Sequence, residues 1–192
     1  QKPYRSFQDV LAAAKAKPDS VTVGNVGNGS LGHLATILVG QATGARLVSV
    51  PYKGGGPLHV DALGGQIDLA IASVAAQANH VRSGKLRALV QTGEKRSALM
   101  PEVPTLAEAG VRGVEPAYAL WGILAPAKTP QPIVDKLNAE IVKIVKDPAV
   151  QARFIEVGAD PATSTPAELK ALISAEVVKW GDLIRSAGVR VD

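Results

Sequence analysis

Between residues 6 and 91, short apolar runs alternate with stretches of helical spacing, and glycine-bearing loops separate them. That order leaves few architectures open. A strand, a crossover helix and a second strand pack back on one another as a parallel βαβ unit. Ser6 followed by Asp9 reads as a helix start, with Phe7, Val10 and Leu11 on one side until Lys17-Pro18 ends it. Val21–Val23 is a strand, Gly24–Gly29 a loop of glycine and asparagine, and Ser30 caps a helix through Leu34, Ile37 and Leu38 to Gly40 or Gly44. The pattern then repeats: strand Arg46–Val50, loop Pro51–Gly56, and helix Pro57–Leu63 stopped by Gly64-Gly65. Ile67–Ala72 is the next predicted strand, and the continuous apolar character of Asp68–Ala72 predicts cover on both faces. A helix ends across His80–Gly84, and Leu86–Gln91 is a further predicted strand.

The second part of the chain reads differently. Thr92–Pro104 is a polar surface connection, Thr105 and Glu108 predict a short capped helix closed by Gly110, and Tyr118–Leu124 predicts a strand containing Trp121. Pro130–Lys146 carries Ile133, Val134, Leu137, Ile141, Ile144 and Val145 at one-sided helical spacing. Asp147-Pro148 starts another helix, and Thr165, Pro166 and Glu168 start a last one running past Trp180 to Ile184. A boundary near residues 115–125 therefore separates an α/β part, 4–117, from a helical part, 118–192. With 192 residues, 46% of them hydrophobic, there is enough chain for one sizeable core or two small ones.

Several function classes drop out. The net charge of +4 is spread singly along the chain, and its densest cluster, Lys85, Arg87, Lys95 and Arg96, has no interleaved aromatics, so no nucleic-acid partner is expected. The absence of cysteine removes disulfides, thiolate metal sites and a thiol nucleophile. His33, His59 and His80 lack metal-ligand spacing and read as packing or surface residues, so no metal and no cofactor is expected. No run approaches the roughly 18 apolar residues of a membrane span, so the chain is not expected to be membrane-embedded. It begins at Gln1 and its single methionine is Met100, which reads as a processed, trimmed or excised chain with any signal peptide already gone.

The segment Gly24–Leu34 carries the clearest chemistry. Glycines between a strand and a helix let the backbone approach a ligand, and the exposed N–H groups of the helix start favour an anion. Asn25, Asn28, Gly29 and Ser30 are the expected ligand-binding residues there; an ordinary tight turn with a serine cap is the alternative. The loop Pro51–Pro57 would lie at the same sheet edge, adding Tyr52, Lys53 and Gly54, and Ser73 would close the third strand beside them. Each has a plainer reading as a solvated turn or a helix cap. Gly27, Gly29 and Gly32 match G-x-G-x-x-G, yet the next strand ends in Ser49-Val50-Pro51-Tyr52-Lys53 without the acid a dinucleotide ribose needs. Ser30, Asp68 and His80 follow a hydrolase order, but Asn28 stands where a nucleophile elbow has glycine. No catalytic residue is expected.

Taken together, G-N-G-S-x-x-H-L at Gly27–Leu34, V-P-Y-K-G at Val50–Gly54, G-G-Q-I-D-L at Gly64–Leu69, G-K-L-R-A-L at Gly84–Leu89, P-E-V-P-T-L-A-E-A-G at Pro101–Gly110, L-A-P-A-x-T-P at Leu124–Pro130 and Trp180-Gly181 form an ordered set. This set resembles the Bug-type solute-binding receptors of tripartite tricarboxylate transporters over nearly the whole chain. The resemblance implies a type II periplasmic-binding-protein-like α/β fold, a mainly parallel sheet flanked by helices, in which two domains close on a small carboxylate. It implies a periplasmic protein that delivers its solute to membrane permease subunits and is not an enzyme. It also implies that residues 4–117 form the second domain and 118–192 complete a first domain whose N-terminal part is absent here. A low aromatic content of 4% favours a carboxylate over a sugar, which rings normally stack on. The alternatives are a nucleotide-binding enzyme using the Gly27–Gly32 loop and a ligand sensor for a signalling partner.

Overall fold

In the computed structural model, which describes residues 2–114 and 116–190, Ser6 starts helix α1 (Phe7–Ala16) with both halves of a capping box. The Asp9 N–H donates to the Ser6 hydroxyl at 3.2 Å and the Ser6 N–H donates to the Asp9 carboxylate at 2.9 Å. Strands β1 (Val21–Asn25), β2 (Leu47–Pro51) and β3 (Leu69–Ala70) form a parallel sheet in the order β2-β1-β3. Gly24 lies opposite both Val50 and Ala70, so β1 is the central strand.

Alternation along β1 sorts the helices by face. On the Val21 side, α1 and α2 (Leu31–Thr43) pack, and Phe7, Val10, Val21 and Val39 share one buried cluster. On the Gly24 side lies α3 (Gly55–Leu63). A β-carbon at Gly24 would stand 2.5 Å from both Leu58 Cδ1 and Ile67 Cδ1, so α3 approaches this closely only because the strand has glycine there. Helix α4 (Val74–Arg82) follows β3. The helical part contributes α5 (Gln131–Val145), which follows Pro130 without a side-chain cap, and α6 (Pro148–Glu156) and α7 (Pro166–Ser186), which start where their proline and capping residues predict. Among the described residues, no helix is long and apolar enough to cross a membrane.

Five expectations need correction. Helix α3 starts at Gly55 rather than Pro57, because Gly54 caps it at φ +97° and the fixed φ of Pro57 fits the first turn. The predicted strand Ile67–Ala72 shrinks to Leu69–Ala70, and both residues are half-buried rather than covered on two faces. Its start is diverted by Thr22, whose side-chain oxygen accepts the Asp68 N–H at 2.9 Å in place of a ladder bond. Leu86–Gln91 forms no strand; it makes a single parallel bridge between Gln91 and Thr105. Thr105–Gly110 forms the predicted capping bonds, Thr105 N–H to Glu108 at 2.8 Å and Glu108 N–H to Thr105 Oγ1 at 3.3 Å, but stays a turn because Gly110, at φ +80°, ends it before helix propagates. Tyr118–Leu124 forms no strand, since no neighbouring strand pairs with it among the described residues. Residue 115 of the boundary zone and residues 191–192 at the end of the second part lie outside the described residues.

Thr22 and Asp68 also clamp the start of β1 to the start of β3. The Thr22 N–H and hydroxyl donate to Asp68 at 2.9 and 2.8 Å, and Lys2 Nζ stands 3.1 Å away. Burial pushes the Asp68 carboxyl up, but the two Thr22 donors and Lys2 outweigh it and hold it below the usual carboxylate range. A depressed folded pKa contributes stability above the unfolded value, and that contribution is lost as pH falls through the folded one. Urea midpoints taken from roughly pH 5 down to pH 2 should therefore fall less steeply in Asp68→Asn than in the wild type. Parallel declines in the two proteins would remove Asp68 from the acid response.

Candidate functional site

Parallel strands put their carboxyl ends at one edge, and here each is followed by a helix whose first turn faces that edge. Helix α2 starts after Ser30, α3 after Gly54 and α4 after Ser73, so three positive helix ends share one side of the sheet. The first turn of each also carries N–H groups with no intrahelical acceptor. The arrangement therefore suits an anion that only accepts hydrogen bonds.

Asn25, at the end of β1, is fully buried and organises the first loop. Its Nδ2 donates to Ser49 Oγ at 2.7 Å, and its Oδ1 accepts from the Gly27 N–H at 3.1 Å and from the Ser30 hydroxyl at 3.4 Å. Ser30 caps α2 by accepting the His33 N–H at 3.3 Å, and the Gly29 N–H donates to His33 Nδ1 at 3.0 Å. Gly27 and Gly29 thus spend their amides inside the loop. The amides of Leu31 and Gly32, in the first turn of α2, have no intrahelical acceptor; Leu31 is half-buried, Gly32 is buried against Asn25 and Ile71, and Asn28 is exposed beside them.

In the second loop the Tyr52 hydroxyl donates to Asp61 at 2.8 Å, and that bond to a carboxylate raises the Tyr52 pKa. Its one proton is committed internally. The Gly54 N–H donates to the Tyr52 carbonyl at 2.9 Å, leaving Gly55 and Gly56 as the open amides of α3. Lys53 is exposed and makes no ion pair among the described residues. Ser73 is exposed and caps α4 by accepting the Ala76 N–H at 3.3 Å.

All eight singled-out residues thus lie at one edge, though several side chains serve the loops rather than open space. Sequence reasoning missed Ser49 and Asp61, which hold Asn25 and Tyr52, and it passed over His33, whose signal was its spacing of four from Gly29 across a serine cap. It also missed Gly158: at φ +73°, a β-carbon there would lie 2.6 Å from Ala75, so the loop after α6 rests on the first turn of α4. The order Ser30, Asp68, His80 does not assemble. Asp68 is bound to Thr22 near the other end of β1, and the His80 ring lies 5.3 Å from that of His59.

An apolar cavity of about 540 Å³, lined by Leu31, Tyr118, Trp121, Val177 and Trp180, adjoins the first loop only through Leu31. Glu176 also lines it, and its hydrogen bond from Lys179 keeps its pKa low despite some burial. Apart from that carboxylate, already paired with Lys179 at 2.8 Å, the lining is apolar and offers an anion little, so the glycine edge is the better anion site. A larger open cleft reaches that edge through Val26, Gly32 and Ser73.

Residues 1–189 match the family model described as the tripartite tricarboxylate transporter family receptor. Protein BugT of Bordetella pertussis is 36% identical over 186 residues, covering 97% of this chain and 57% of that protein. A protein of Agrobacterium vitis from the TAR-I ttuE-ttuC' intergenic region is 35% identical over 189 residues, 96% of this chain and 54% of that one. The chain therefore spans about half the length of the curated relatives it matches. A solved R. palustris structure with adipate superposes with a TM-score of 0.84 at 32% identity, covering 99% of this chain and 63% of that one. The periplasmic binding protein BugD superposes with a TM-score of 0.73 at 30% identity, over 99% and 64% of the two chains.

Proposed function

As the chain belongs to the tripartite tricarboxylate transporter family of receptors, we propose that it is the ligand-gripping part of a periplasmic solute-binding receptor for a small carboxylate. Three helix starts at one sheet edge carry this reading. The carboxylate accepts from the amides of Leu31 and Gly32 on α2 and of Gly55 and Gly56 on α3, with Lys53 supplying charge and Asn28 and Ser73 bordering the site. Asn25, Gly29, Ser30, Tyr52 and Gly54 shape the two loops. The adipate held by the R. palustris relative supports an aliphatic dicarboxylate as the ligand class.

Capture and release make and break no covalent bond, so the receptor needs no catalytic group. The solute then passes to the permease subunits of the transporter. Residues 4–117 act as the second of two domains and 118–192 complete the first. That division is supported by the surface after residue 117, where Trp121 is 89% exposed and no residue of α5 is fully buried.

The test is a thermal-shift screen of this chain, and of a version extended to its relatives' length, against adipate and other small carboxylates with NAD as a control. Stabilisation of the extended version by a carboxylate is the expected result. A shift with NAD and none with carboxylates rejects the receptor reading. Ser30→Ala should weaken adipate binding modestly, since it removes a hydrogen bond worth about 0.5–1.5 kcal/mol while leaving the backbone donors in place. Unchanged affinity in calorimetry would reduce Ser30 to a helix cap.

A further inference from the structure

His33 touches the glycine loop twice. Its backbone N–H donates to Ser30 Oγ at 3.3 Å, a contact that any residue with an amide can make there. Its ring adds a contact that depends on the side chain, because Nδ1 accepts the Gly29 N–H at 3.0 Å. Gly29 sits at φ +72°, in the left-handed region, where its amide points away from the helix and toward the ring. On the strand side, Asn25 Oδ1 takes the Gly27 N–H in the same manner. Two side chains, one from the end of β1 and one from the start of α2, thus absorb alternate loop amides.

We infer that His33 is a positioning residue of the carboxylate-binding loop: in its Nε2–H tautomer it holds the Gly29 amide through Nδ1 and so keeps Leu31 and Gly32 as the outward donors. The inference rests on the receptor reading for its consequence, ligand affinity, but not for its geometry. An imidazole nitrogen accepts only when unprotonated, so the ring must carry its proton on Nε2. Asparagine at this position places Oδ1 where Nδ1 stands and preserves the acceptor; leucine fills similar space without one.

The experiment is NMR on the chain with ¹⁵N-labelled histidine, followed by Gly29 amide exchange in the wild type, His33→Asn and His33→Leu, and by adipate titration of the same three sequences in the version extended to the relatives' length. The inference expects a pyridine-type Nδ1 and a pyrrole-type Nε2 for His33. It also expects Gly29 exchange about tenfold faster in His33→Leu, with most of the protection regained in His33→Asn. Adipate affinity should follow the same order. Amides of Val21 and Val23 serve as the folding control, and if the leucine variant unfolds, a protected Gly29 amide in the asparagine variant still supports the inference. An Nδ1–H tautomer, or Gly29 exchange unaffected in His33→Leu, overturns it. If exchange responds as expected while neither adipate nor another small carboxylate binds any of the three extended proteins, the positioning role stands and the carboxylate reading fails.

Discussion

Leu58→Ala should lower the free energy of unfolding by about 2–5 kcal/mol, the usual range for deleting a fully buried leucine side chain and leaving a cavity. Leu58 has no exposed surface and packs α3 against the central strand at Gly24, which has no side chain of its own to fill the space. In a urea titration the midpoint should drop with the slope unchanged. Because α3 presents the Gly55 and Gly56 amides to the sheet edge, adipate affinity should weaken alongside stability. A loss below about 1 kcal/mol would mean that α3 collapses onto the strand and that its position is set elsewhere.

Asn25→Ala should have the largest effect on binding. Asn25 is completely buried and joins three groups: Ser49 Oγ, the Gly27 N–H and the Ser30 hydroxyl. Truncation leaves buried polar groups unpaired at about 1–3 kcal/mol each, and releases the loop that aims the α2 amides. Unfolding by urea and adipate titration should both register the change. A double-mutant cycle with Ser49→Ala isolates the strand-side bond, and the two substitutions should be clearly non-additive because they share one contact. Additive losses would show that Asn25 acts through the loop alone.

The two substitutions probe different kinds of information. The strand-loop-helix order that places Asn25, Lys53 and Ser73 at one edge, with glycine in the first two loops, is local, written within a dozen or so residues each time, and the parallel sheet follows from it. The helix starts at Ser6, Ser30, Asp147 and Thr165 are equally legible, because a cap closes its hydrogen bonds within two or three residues. Strands are not written this way. Leu86–Gln91 and Tyr118–Leu124 have strand composition, but a strand exists only as part of a ladder, and neither finds a neighbour among the described residues that completes one. The short β3 has the same origin, since Thr22 intercepts the Asp68 amide from 46 residues away.

The sequence by itself determined the α/β order, the helix caps, the glycine edge and, through its ordered motifs, the receptor family. Only the tertiary structure decided which polar groups at that edge remain free: Asn25 is taken by Ser49, 24 residues away, Tyr52 by Asp61, nine residues away, and Gly29 by the ring of His33. The physical reason is one of range. Backbone propensity and capping act over a few residues, whereas the satisfaction of buried hydrogen bonds depends on groups that meet only once the sheet and its helices have packed.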